Sequence, residues 1–224
     1  MRTNKQVIAG KKAKKNNTDF ELEVCKKEGY THIEGSKDKA DAWDDKKNKG
    51  ISIKRMSGKS TCVLSTTGNK LLELFTQPPF ANNMDTNSYF ALSSFIYALC
   101  NKTINLNEYQ LKDDALSLFY TNCETILKRV FSGYKSEIRA HIIEIYDNEN
   151  NLLTRVDIFK MIKDFLDNGK IVISPKGTVI WFVLNGDKIL HLQRKGSGPT
   201  PAARRGLYFH IHKHPKMFNE WKVI

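Results

Sequence analysis

The sequence predicts an α/β fold of the α+β kind, with strands gathered toward both ends and helices between them. Two observations point there. Segments around residue 50 and again beyond residue 170 alternate apolar and polar residues between turn formers, the mark of half-buried strands. The stretch between them repeats apolar residues at three- and four-residue intervals, the mark of amphipathic helices. With 224 residues, 40% of them hydrophobic, the chain can bury a sizeable core. Residues 1–224 read as one unit with core elements at 18–75, a helical region at 86–169 and a strand-rich region at 170–224. No internal repeat is evident.

Met1–Asn17 is basic and polar and reads as an arm leading into a helix. Thr18 stands as N-cap with Glu21 three residues on, a capping-box pair that opens a helix toward Lys27, and Gly29 stops it. Tyr30-Thr31-His32-Ile33 reads as a short strand. Lys39 to Arg55 reads as a hairpin, with Asp41-Ala42-Trp43-Asp44 and Ile51-Ser52-Ile53-Lys54-Arg55 flanking the turn residues Lys46 to Gly50. Ile51 and Ile53 face one side of the second strand, Ser52 and Lys54 the other. A turn centred between Lys47 and Asn48 sets Asp41 across from Lys54 and Trp43 across from Ser52. A two-residue slip would change which acid lies in line.

Helices are expected at Tyr89–Leu99, Leu111–Val130, Tyr134–Tyr146 and Leu153–Leu166, the last with Thr154 and Asp157 as a capping box and Gly169 beyond its end. Strands follow at Ile171–Ser174, Thr178–Leu184 and Asp187–Lys195, separated by the turn Pro175-Lys176-Gly177 and by Asn185-Gly186, a type I′ hairpin signal. Gly196–Pro201 is a loop, and Leu207–His212 is one more strand.

Thirty-six Lys and Arg against 24 Asp and Glu give a formal charge of +12, which favours a polyanionic partner and salt-sensitive binding. No apolar run reaches the roughly 18 residues of a membrane span, and the first residues lack a signal-peptide apolar core. The cysteines Cys25, Cys62, Cys100 and Cys123 are widely spaced and read as reduced packing residues. A cytoplasmic protein with no membrane partner is expected.

Chemistry concentrates in the hairpin. Phosphodiester hydrolysis by a divalent metal needs oxygen ligands and a positive group near the attacking water. Asp41 supplies a carboxylate and Lys54 a cation to orient water or to meet charge on the phosphate. Ser52 shares the Lys54 face, and the Ile53 carbonyl is a further oxygen. The set is one carboxylate short of what Mg²⁺ prefers. Glu21 or Glu23 on the first helix, or Asp44 or Asp45, could complete it.

The C-terminal third carries the residues suited to nucleic acid. His191, Gln193 and Lys195 share one face of a strand, with Leu190, Leu192 and Arg194 on the other. Gln pairs with adenine edges and Arg or Lys with guanine, although basic strands contact phosphate at least as often. Arg204 and Arg205 follow a Gly/Pro-rich loop and suit phosphate clamping, as do Lys39 and Arg55 beside the hairpin. Tyr208, His210 and His212 share a strand face. His-x-His can bind Zn²⁺, but no cysteine or well-spaced carboxylate completes such a site.

Taken together, Asp41, Ser52 and Lys54 resemble the signature of type II restriction endonucleases of the PD-(D/E)XK superfamily. Asp41 matches the first position, Ser52 stands at the variable acidic position and Lys54 matches the last. Ile171–Gly177, Leu190–Gly196 and Leu207–Ile211 are similar in order and residue type to the C-terminal segment of a small member of that family. The likeness covers the hairpin and most of residues 134 to 212. It implies a restriction-endonuclease-like mixed central sheet flanked by helices and Mg²⁺-dependent hydrolysis of double-stranded DNA. The ends left would be 5′-phosphate and 3′-hydroxyl. Gln193, Arg194 and Lys195 carry over as DNA-contacting positions. Whether one copy nicks or a homodimer cuts both strands is left open. The alternative reading is a non-catalytic winged-helix-like DNA binder built from Thr154–Lys195, which gives Asp41 and Lys54 no role.

Overall fold

The structure, a computed structural model, describes residues 4–34, 38–76, 84–101, 104–133, 136–195 and 206–223. Two five-stranded sheets flanked by helices form a mixed α/β architecture. The first sheet runs β1 (Thr31–His32), β2 (Ala42–Asp44), β3 (Lys49–Met56), β5 (Ile142–Asp147), β6 (Leu152–Asp157). It is mixed, because β3 and β5 pair parallel while its other neighbours pair antiparallel. The second sheet runs β4 (Ser60–Thr67), β10 (Gly206–His212), β9 (Asp187–Arg194), β8 (Val179–Leu184), β7 (Gly169–Ile173) and is antiparallel throughout. The sequence reading anticipates one central sheet. The chain builds a second because a turn at Gly58 (φ 82°) takes it out of β3 and into β4, which pairs with β10.

Helix α1 (Asn4–Glu28) lays Val24 and Cys25 on Ala42, Ile51, Ile53 and Ile142, covering one face of the first sheet. The main core fills the other face. There Ile143, Ile145 and Val156 meet α2 (Gly68–Thr76), α3 (Thr86–Cys100), α4 (Lys112–Thr121), α5 (Cys123–Leu127) and α6 (Ile158–Asn168). The inner face of the second sheet, through Phe182, Leu190, Leu192 and Phe209, closes the same core. Helix α7 (Pro215–Asn219) is capped by the His214 side chain. No helix among the described residues is long and apolar enough to cross a membrane. All four cysteines are free thiols.

Several boundaries differ from expectation for identifiable reasons. Thr18 is inside α1, not at its start. Lys, Gln and Ala make up much of the stretch before it and favour helix, and the helix runs back to Asn4 despite Gly10 and the Asn16-Asn17 pair. Gly29, at φ 74°, does end it. The helix expected over Tyr134–Tyr146 is a strand from Ile142, because its β-branched residues suit a pleated sheet buried on both faces. Leu153–Leu166 splits into β6 and α6. Asp157 alone caps α6, accepting from the amides of Phe159 (3.0 Å) and Lys160 (3.1 Å), while Thr154 sits in the strand. Leu111–Val130 breaks into α4, α5 and a π-helical turn at Lys128–Ser132, closed by Gly133 at φ 72°. Asn185 (φ 50°) and Gly186 (φ 89°) form the expected left-handed turn. The strands proposed as a wing lie within the five-stranded second sheet.

One buried charge ties α1 to the first sheet. The Glu144 side chain is fully buried on the α1 face of β5. It accepts from Tyr30 Oη (2.7 Å), Arg155 Nε (2.6 Å) and Tyr146 Oη (3.3 Å), and Arg155 also pairs with Glu28 of α1. This network pushes the Tyr30 and Tyr146 hydroxyls up, through burial and the adjacent carboxylate. Replacing Arg155 with Ala strands Glu144 without its cation. We expect a loss of about 3 kcal/mol, the low end for a broken buried pair because Arg155 keeps some solvent contact; urea unfolding of R155A against wild type measures it.

Candidate active site and basic face

The hairpin register decides the site. Ala42 pairs with Ile51, Trp43 with Gly50 and Asp44 with Lys49, around a turn at Asp45–Asn48. Continuing this register sets Asp41 opposite Ser52, and not opposite Lys54 as a turn centred between Lys47 and Asn48 would. The turn is one position earlier because Asp44 accepts from the amides of Lys46 (3.1 Å) and Lys47 (3.2 Å) and Asn48 takes φ 53°. Asp44 is thereby committed to the turn, and Asp45 to the Thr31 hydroxyl (2.7 Å), so neither joins Asp41.

Past the last β2–β3 pair the strands diverge, and the Asp41 carboxylate fills the fork. Its Oδ2 accepts from the Ile53 amide (2.7 Å), Lys54 Nζ (2.8 Å) and the Ser52 hydroxyl (3.2 Å). Lys54 Nζ also donates to the Ile53 carbonyl (2.9 Å). The four residues singled out in the hairpin thus converge, with Ser52 fully buried and Asp41 and Lys54 about one-fifth exposed.

Glu21 joins them from α1. Burial and the neighbouring Asp41 charge raise its pKa, and Lys54 partly offsets this. Its Oε2 lies 4.0 Å from His32 Nε2, a partner that no sequence pattern marks. Glu23 is exposed and, two residues away on a helix, points to a different side. Mg²⁺ takes one or two carboxylates and keeps several waters. The oxygens that could serve such an ion are those of Asp41 and the Ile53 carbonyl, with the Glu21 carboxylate within charge reach, and the Lys54 ammonium bridges the first two. Among the described residues no group of three or more His, Cys, Asp or Glu side chains is placed to hold a metal.

The basic candidates divide. Lys39 is turned inward: its ammonium donates to the Val63 carbonyl, at the extra residue of a β4 bulge, and burial with the nearby Lys54 charge lowers its pKa to about 7. Arg55 lies over the Phe20 ring at 5.4 Å, on the α1 side of β3 and away from Lys54. Arg194 shares the core side of β9 with Leu190 and Leu192, and lines a cavity of about 160 Å³ beside the end of α3. Arg204 and Arg205 lie outside the described residues.

The outer face of the second sheet holds the rest. Gln193 pairs with Tyr208 and His191 with His210 across β9 and β10. Lys195 Nζ sits 4.4 Å from the Tyr208 ring and Lys188 Nζ 3.7 Å from Trp181. His191 stacks on His210 at 4.9 Å and shares a 2.5 Å contact with His212. Lys39, two residues before Asp41, donates to the Val63 carbonyl of β4, and β4 pairs with β10, so this face adjoins the Asp41 fork. Burial raises the pKa of the Cys62 thiol on β4, and Lys39, Lys54 and Lys195 oppose that rise. Trp43 packs edge-on against His141 (6.5 Å), whose Nδ1 accepts from the Gly50 amide (3.1 Å), so both are structural.

None of the family models, curated proteins or solved structures compared with the chain matches it.

Burial, with His212, His210 and Lys188 nearby, lowers the His191 pKa from 6.5 to about 4, and His210 and His212 shift the same way. Between those values the unfolded chain binds more protons than the folded one, so stability falls as pH drops from 6.5 toward 4. Thermal melts across that window should show a decline that His191→Gln makes shallower.

Proposed function

We propose that the chain is a Mg²⁺-dependent endonuclease that hydrolyses double-stranded DNA, a type II restriction endonuclease of the PD-(D/E)XK kind. The observation that carries the reading is the fork at Asp41, where a carboxylate, a lysine, a backbone carbonyl and a helix-borne glutamate meet beside a basic sheet face. A mixed sheet with helices over it is also what the family resemblance implies.

Asp41, Glu21 and the Ile53 carbonyl would hold the ion. Bound there, Mg²⁺ supplies a Lewis acid for the phosphate and a more acidic water. Lys54 reaches the same oxygens, so it can orient the attacking water and meet the charge that develops on the phosphate. Ser52, at the position of the family's second acid, fixes the Asp41 carboxylate through its hydroxyl, a positioning role, and Glu21 supplies the second carboxylate. In-line attack then leaves a 5′-phosphate and a 3′-hydroxyl. Gln193 and Lys195, with Tyr208 between the strands, present donors and a ring to the duplex, while Arg194 and Lys39 face inward. The excess of basic charge supports DNA as the partner.

Digestion of long mixed-sequence DNA with Mg²⁺, followed by sequencing of the ends, tests activity, site and stagger together. Asp41→Asn and Lys54→Ala should each lower cutting by roughly 10²-fold or more with DNA binding retained, and Glu21→Gln should raise the Mg²⁺ concentration needed. Binding without cutting of any DNA, with Mg²⁺ or Mn²⁺, overturns the reading in favour of a non-catalytic binder.

A further inference from the structure

A second cavity lies behind the fork, with a volume of about 440 Å³ between the end of β4, helix α2 and the π-helical turn. That size is within the roughly 300–1,000 Å³ of small-molecule sites. Its lining has two chemistries. Lys70 and Arg129 bring cations, Lys39 borders it with its side chain turned to the Val63 carbonyl, and Ser65 and Thr66 bring hydroxyls at the rim of β4. Leu64 and Leu74, both partly exposed, form an apolar wall, with Leu71 and Val130 buried behind it. Two carboxylates, Asp38 and Glu73, also border it, and Asp38 already accepts from the Ile138 amide (2.9 Å).

We propose that this cavity takes one nucleotide unit, with its phosphate on Arg129 and Lys70 and its base against Leu64 and Leu74. A simple anion would satisfy the cations and leave Leu64 and Leu74 in contact with water. An uncharged apolar ligand would do the reverse, burying cations without partners. A phosphate joined to a planar base matches both halves, the Ser65 and Thr66 hydroxyls suit phosphate or sugar oxygens, and the Glu73 carboxylate can accept from a base amino group.

The position of the cavity agrees with this. Lys39 lines it two residues before Asp41, and its ammonium feels Lys54, Asp41 and Arg129. Gly133 makes room for that arrangement, because a Cβ there would come within 2.2 Å of the Lys39 Cβ. A nucleotide seated here would neighbour a phosphate at the fork. The unit can come from the DNA strand, turned out of its stack, or from a free mononucleotide. The first source rests on the nuclease reading, and the pocket itself does not.

Calorimetric titration of the full-length protein, without divalent metal, tests the pocket with deoxynucleoside monophosphates, inorganic phosphate and a nucleoside. We expect a monophosphate to bind at least tenfold more tightly than either fragment. Lys70→Glu lies on the exposed side of α2 and should fold; it and Arg129→Gln should each weaken that binding about tenfold or more. Asp41→Asn should leave it unchanged, which separates this site from the metal site. Duplexes carrying 2-aminopurine at successive positions then identify the source. A fluorescence rise that Lys70→Glu abolishes places a strand nucleotide in the cavity, whereas monophosphate binding without a rise assigns it to free nucleotide. Equal affinity for monophosphate and inorganic phosphate, or binding indifferent to Lys70→Glu and Arg129→Gln, overturns the proposal.

Discussion

The divergence of β2 from β3 past the Ala42–Ile51 pair is the constraint on which the rest of the site depends. A strand that parts from its neighbour leaves an amide without a ladder partner, and an unsatisfied buried amide costs about 1–3 kcal/mol. The chain meets that need with the Asp41 carboxylate on the Ile53 amide. Once the carboxylate is fixed there, Ser52 and Lys54 lie on the adjoining face by strand periodicity, and α1 brings Glu21 over it. A backbone requirement and a chemical one are thus met by a single side chain.

The Glu144 network holds the lid of this arrangement in place. Helix α1 rests on a small apolar patch, and its C-terminal end is secured through Glu28, Arg155 and the buried carboxylate. Glu21 sits two helical turns earlier on the same helix, so the geometry of the fork inherits the fixation of that end. The larger core does different work: it joins both sheets, so that the basic, aromatic face of β9 and β10 keeps a fixed place beside the fork.

Much of this was legible in the sequence, and the failures have physical causes. The Asn185-Gly186 hairpin and the helix around Tyr89–Leu99 depend on local signals, turn chemistry and periodicity, and both emerged as expected. The alternation of β3 placed Ser52 and Lys54 correctly without the right register, because period two survives a two-residue slip. The strand β5 was hidden because apolar residues on both of its faces mimic helical spacing. Composition cannot show that Lys39 turns inward to a bulged carbonyl. The split between Arg194 and its neighbours Gln193 and Lys195 follows from strand alternation, and was readable in advance.

Gly133 shows how far such constraints reach along the chain. Its left-handed backbone already disfavours other residues, and any side chain would strike both Lys39 and Ser136. The residue that closes a helical turn in the middle of the sequence is therefore answerable to a loop near its start. Trimming Lys39 to alanine would bring no relief, because its Cβ, 2.2 Å away, is the first atom struck, so glycine is required at 133 whatever the length of the side chain at 39.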